Sequence, residues 1–100
     1  MNLIRPQWQA PKTVHALVTT RMGGSSKPPY ESLNLGDHVG DDPNNVQENR
    51  QLLRMQLPSE PLWMKQTHGI TISTPAIRSH NLAAVIEADG IVTPTPHEVL

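Results

Sequence analysis

Apolar and polar positions alternate most clearly in two stretches of this chain. "VHALVTTR", Val14 to Arg21, puts Val14, Ala16, Val18 and Thr20 on one face and His15, Leu17, Thr19 and Arg21 on the other. That period of two predicts a strand. "PLWMKQTHG", Pro61 to Gly69, repeats the pattern, with Leu62, Met64, Gln66 and His68 on one face and Trp63, Lys65 and Thr67 on the other. It predicts a strand over Leu62–His68 that delivers an imidazole to the end of a sheet. Between them runs "MGGSSKPPYESLNLGDHVGDD", more than twenty residues with four glycines and two prolines. Structureless loops of that length are uncommon in compact domains and are often functional.

After the loop the period becomes helical. Asp42 suits an N-cap, and Pro43 suits the first helical position, where its missing N–H would be unpaired anyway. Val46, Leu53 and Leu57, widened by Leu52, form an apolar stripe, while Gln47, Glu48, Arg50, Gln51 and Arg54 stay polar. Pro58 disfavours helix at Leu57, so the spacing predicts a helix over about 43–57. "ITIST" is a short alternating run, a further strand is expected within Gly90–Thr93, and "HEVL" reads as the start of an element. The order β-loop-α-β-β-β predicts an α+β domain: a mixed β-sheet with one main helix.

Composition narrows the class. With 100 residues, 36% of them hydrophobic and no Phe, the chain fits one small domain or part of one, with a thin core. The formal net charge is -1 and the charges are scattered, so no basic stripe argues for nucleic acid. The absence of cysteine excludes disulfides, thiolate ligands and thiol catalysis from this chain. No signal-like h-region or membrane-length run is present, and a soluble, cytoplasmic protein without membrane partners is the expectation.

Taken singly, the candidate sites are weak. No two of His15, His38, His68, His80 and His97 have the helical zinc spacing. A lone His at a strand end is more often structural, although Gln66 on the same face could orient it or a ligand. "TTRMGGSS" offers glycine amides and Arg21 to an anion, but it lacks the Gly-Lys-Ser/Thr ending of a phosphate loop. A Gly-rich turn is the commoner meaning. "HVGDDPNN" lacks the calcium-loop spacing, and no G-x-S-x-G elbow supports a serine nucleophile. Glu87 and Asp89, two apart, would share a face as an acid–base pair, or simply sit in an exposed loop.

Together and in order, the segments are far more specific. "TTRMGGSSKPPYESLNLGDHVGDDPNNVQENRQLL", "LWMKQTHG" and "EADGIVT" closely resemble the amino-terminal part of the YfiH-like family, from about Pro6 to Thr95. That family is also known as multicopper polyphenol oxidoreductase (laccase), or laccase-domain purine nucleoside phosphorylase. The resemblance implies an incomplete YfiH-like α/β fold. Residues 1–100 would be the amino-terminal portion of such a domain, ending before its later "TADC" and "HAGW" motifs. It implies a zinc or copper site to which this chain contributes His68, the other ligands belonging to those later motifs. The implied chemistry is phosphorolysis of adenosine, inosine, guanosine and methylthioadenosine with phosphate, and adenosine deamination by metal-activated water. Phenol oxidation with copper is the older label. Within the motifs, Arg21, Gly23 and Gly24 become candidates for an anion site, and Asn34 and Gln66 for polar pocket residues.

The isolated chain is expected to be inactive, with self-association through an unpaired sheet edge. The other reading is a non-enzymatic remnant or binding module.

Overall fold

Asp42 starts the longest element, as its sequence predicts. In the computed structural model, which describes residues 1–80 and 85–100, helix α1 runs over Pro43–Arg54. The Asp42 carboxylate accepts from the Asn44 amide at 2.9 Å, and its carbonyl accepts from Val46 N at 3.1 Å. Val46 and Leu53 are buried and Leu57 is half-buried, so these three form the inward face, while Leu52, which was to widen the stripe, is exposed. The helix stops three residues short of the predicted end. Gln56 N bonds back to Leu53 O and Leu57 N to Arg54 O, the tighter i→i+3 spacing with which a helix winds down. Arg54 Nη1 donates to Leu57 O at 2.7 Å and closes that turn.

The chain divides into two compact units, Met1–Leu52 and Leu53–Leu100. In the first, β1 (Leu3–Ile4) pairs antiparallel with β2 (Val18–Thr19), Leu3 facing Thr19 and Ile4 facing Val18. The strand predicted over Val14–Arg21 is therefore only two residues long. Its partner ends just before Pro6, which has no N–H to continue a ladder, and Val14 N is used in a turn onto Pro11 O.

The second unit holds two parallel pairs. Strand β3 (Met64–Lys65) pairs with β5 (Ile86–Glu87), and β4 (Ile72–Ser73) with β6 (Gly90–Ile91). Between β4 and β5 lies α2, Pro75–His80, which the alternating reading of "ITIST" did not predict. Its start has the same chemistry as that of α1: Thr74 Oγ1 accepts from Ile77 N at 3.3 Å, with proline at the first helical position. Arg78 on α2 donates to Ser73 O at 3.1 Å and Val92 O at 2.9 Å, tying the ends of the β4–β6 pair together. "HEVL" contributes a single parallel bridge, Val99 to Pro61, with Leu62 N donating to Val99 O at 2.8 Å.

The class is α+β with mixed pairing, as predicted. Among the described residues the mixed pairing takes the form of three two-stranded ladders, one antiparallel and two parallel. The predicted strand over Leu62–His68 contracts to Met64–Lys65, and the one within Gly90–Thr93 to Gly90–Ile91.

The core is as thin as the composition implies. Among the described residues, the buried hydrophobic side chains are Leu33 and Val46 in the first unit and Leu53 and Ala88 in the second, and one fully buried side chain in the first unit is polar, that of Asn49.

Candidate functional site

The segment Gln66–Thr71 leaves the β3–β5 ladder and leads into the β4–β6 ladder. Lys65 is paired with Glu87 and Ile72 with Gly90, so six residues on one strand line face two, Ala88 and Asp89, on the other. The excess must bulge outward, and "QTHG" forms the bulge. Asp89 holds it at both ends. Its carboxylate accepts from Thr67 Oγ1 at 2.7 Å and Thr67 N at 3.2 Å, while Asp89 N donates to Thr71 O at 2.8 Å. The Thr67 hydroxyl bond holds the Asp89 carboxyl below its ordinary range; partial desolvation opposes this, and the amides of Gly69, His68 and Thr67 reinforce it.

His68 lies on the bulge rather than in a strand, three residues beyond Lys65. It is exposed, and its φ is +59°, in the left-handed region that residues with a Cβ seldom adopt. Gln66 is exposed on the same bulge. Sequence reasoning placed His68 at a strand's end and its exposure agrees with that, but the turn breaks the alternation that was to align it with Gln66.

The first unit carries the other candidates, in the loop 21–41. The amides of Gly23 and Gly24 both donate to Ser32 Oγ, at 3.0 and 3.1 Å. Two successive N–H groups converging on one oxygen make a small anion-type nest, here with a serine hydroxyl as its acceptor. Arg21 Nε donates to Glu31 O at 3.1 Å and its guanidinium lies 3.6 Å from the Glu31 carboxylate, with 68% of the side chain exposed. Arg21, Asn34, Pro29, Tyr30, Glu31 and Leu33 line a shallow open hollow of about 340 Å³. Arg21 and Asn34 are thus brought together, and Gly23 and Gly24 sit beside Arg21 in the chain. Asn34 acts mainly within the loop. Its amide nitrogen donates to Gly36 O and to Asp41 Oδ2, both at 3.1 Å, and its Oδ1 accepts from Gly36 N.

Two residues that organise these segments escaped the sequence reading. Asn49 is fully buried, three residues after Val46 and four before Leu53, so a polar residue stands in the apolar stripe. Its Oδ1 accepts from Ser25 N at 2.7 Å, and its Nδ2 donates to Ser26 Oγ at 2.9 Å and Asn34 O at 2.8 Å. Arg50 beside it donates to Leu35 O at 2.8 Å. The pair "NR" is therefore what pins the loop to the helix. Asp89 is the second. Its spacing from Glu87 suggested an acid–base pair, whereas its carboxylate is committed to the Thr67 turn.

The loop has an acid-sensitive element. Ser26 Oγ donates to Asp41 Oδ2 at 2.5 Å, and this bond, opposed by partial desolvation and aided by Asn34 and the Asp42 amide, lowers the Asp41 pKa from 3.8. A depressed folded-state pKa stabilises the protein above the unfolded value and is lost as pH falls through the folded one. Stability should therefore hold steady above about pH 5 and decline below about pH 4. Asp41→Asn should flatten part of that decline in urea titrations at several pH values; an unchanged acid slope would show that Asp41 does not contribute.

A family model described as multi-copper polyphenol oxidoreductase laccase matches residues 15–100. The chain belongs to that family. A purine nucleoside phosphorylase of Haemophilus influenzae is 44% identical to it over 99% of this chain and 40% of the relative. The purine nucleoside phosphorylase YfiH of Escherichia coli is 56% identical over 68% of this chain and 29% of the relative. The crystal structure of Neisseria meningitidis protein NMB0706, a DUF152 protein, superposes with a TM-score of 0.72 at 38% identity, covering 88% of this chain and 35% of that one. This laccase-family chain thus spans two fifths or less of the length of these relatives.

The family's name evokes a metal. A catalytic zinc site keeps three protein ligands, and no group of three His, Asp or Glu side chains suited to a metal ion occurs among the described residues. His68 offers one imidazole, so these residues do not fit a complete metal centre. No helix among the described residues is long and apolar enough to cross a membrane.

Proposed function

We propose that this chain carries the amino-terminal share of a purine nucleoside phosphorylase site. The observation that carries the reading is the 44% identity to the Haemophilus influenzae phosphorylase across 99% of the chain, which includes the bulge that exposes His68. In phosphorolysis, inorganic phosphate attacks the sugar's anomeric carbon, the bond to the purine nitrogen breaks, and the base leaves with a proton. The enzyme must hold a multiply charged anion against that carbon. Arg21 and the Gly23–Gly24 amides are the groups for this, because the two amides already converge on a single oxygen. Phosphate would take the place of the Ser32 hydroxyl there. Asn34 and Gln66 serve as polar contacts to the nucleoside, and His68 as one ligand of a zinc or copper centre that the described residues do not complete. Adenosine deamination and a cytoplasmic setting belong to the same reading.

The test is a chimera in which residues 1–100 replace the matching part of the Haemophilus influenzae relative. It should release hypoxanthine from inosine and phosphate, and His68→Ala should abolish that release, while the 100-residue chain alone shows none. A folded chimera that stays fully active with His68→Ala would overturn the assignment of His68.

A further inference from the structure

The left-handed conformation in the "QTHG" bulge falls on His68, although the next residue is a glycine that would adopt it freely. Gly69 is not among the residues with positive φ; His68 is, at +59°. A bulge that only needed to turn would place the glycine at that position. This one puts the sterically unfavourable conformation on the residue that bears the imidazole, and something must hold it there.

We infer that Asp89 is a positioning residue for His68: by gripping Thr67 through both carboxylate oxygens and Thr71 through its own amide, it fixes the His68 backbone in the left-handed region and so sets where the imidazole is presented. Three observations carry this. The ladder leaves six residues facing two, so the bulge has slack that pairing alone cannot remove. Both carboxylate oxygens are used, Oδ1 on Thr67 N and Oδ2 on Thr67 Oγ1, immediately before His68. At the far end, Thr71 O accepts from Asp89 N at 2.8 Å and from Gly90 N at 3.2 Å, so side chain and backbone of one residue close the loop from opposite ends. A neutral residue of similar shape would keep one acceptor, and a methyl group would keep none.

The inference rests on the reading that His68 acts in catalysis, and the test separates the two. In the ¹⁵N-labelled 100-residue chain, scalar couplings report the sign of φ at His68, and amide exchange reports the protection of His68 and Gly69. Asp89→Ala should abolish the positive-φ signature and accelerate exchange at His68 and Gly69 at least tenfold. Val92 N, bonded to Ser73 O in the neighbouring ladder, should keep its protection. Asp89→Asn should fall between Asp89→Ala and the parent. In the chimera, Asp89→Ala should lower kcat tenfold or more with KM within about twofold, and Asp89→Asn should restore part of it. A positive φ that persists in Asp89→Ala overturns the inference, as does a full kcat when the signature is lost. A chimera that is indifferent to His68→Ala but still loses the signature with Asp89→Ala overturns the catalytic reading instead. Should Asp89→Ala unfold the chain, Thr67→Val removes the hydroxyl bond alone. It must then raise exchange at His68 and Gly69 selectively, and uniform exchange across the chain would overturn the inference.

Discussion

Asn49→Ala should cost on the order of 3–5 kcal/mol and bring the protein close to unfolding. The Asn49 side chain makes three hydrogen bonds with no solvent to replace it: from Ser25 N, to Ser26 Oγ and to Asn34 O. Truncation strands two part-buried backbone groups, Ser25 N and Asn34 O, each at up to about 1–3 kcal/mol, and leaves a void where a fully buried side chain stood. Small domains have a total stability of about 5–15 kcal/mol, and this one has few buried apolar side chains to absorb the loss. A urea titration should show a midpoint lowered by roughly 2 M, or no folded baseline at all. Asn49→Asp tests the same network with the shape kept. It places an acceptor where Ser26 Oγ and Asn34 O need a donor, so it too should be severely destabilised. If either variant unfolds at the parental urea concentration, the network does not hold the loop.

Gly24→Ala should be nearly as damaging, by on the order of 3 kcal/mol, because the added methyl meets backbone on two sides. It would lie 2.7 Å from Leu33 Cα and 2.5 Å from Asn49 Oδ1, and closer still to the Ser32 carbonyl oxygen. None of these can swing aside without disturbing the Asn49 network. Gly90→Ala is the control, since its methyl would meet the far end of the flexible Ile72 side chain at 2.6 Å. Thermal denaturation should show a fall of roughly 15 °C for Gly24→Ala and only a few degrees for Gly90→Ala. Equal losses would mean that the loop yields as easily as a side chain.

What the sequence made legible follows from how local each cause is. The start of α1 was readable because Asp42 and Pro43 act on the backbone within one turn. Thr74 and Pro75 carry the same signal for α2, but the alternation of "ITIST" and the shortness of the helix hid it. The extents of the strands were not readable. The length of β2 depends on Pro6, which stops its partner twelve residues earlier, and no window around Val18 contains that fact. The site divides the same way. His68 was placed at a strand's end by the alternation that precedes it, and its exposure agrees with that. The roles of Asn49 and Asp89 were not, because each is defined by groups more than twenty residues away: Ser25 for one and Thr67 for the other. A polar residue standing in an apolar stripe was the available sign for Asn49.

The two-against-six mismatch around Asp89 also bears on how such a chain can change over time. Because the bulge leaves the β3–β5 ladder at Lys65 and enters the β4–β6 ladder at Ile72, its residues hold no place in the register of either, although Thr71 O accepts from Asp89 N and Gly90 N. Residues can be exchanged there without shifting the register of either ladder. An extra residue between Ala88 and Asp89 would instead turn β6 over and send Ile91 to the opposite face. One side of the mismatch is open to variation and the other is closed to it, so new chemistry in this family has a fixed frame on which to be tried.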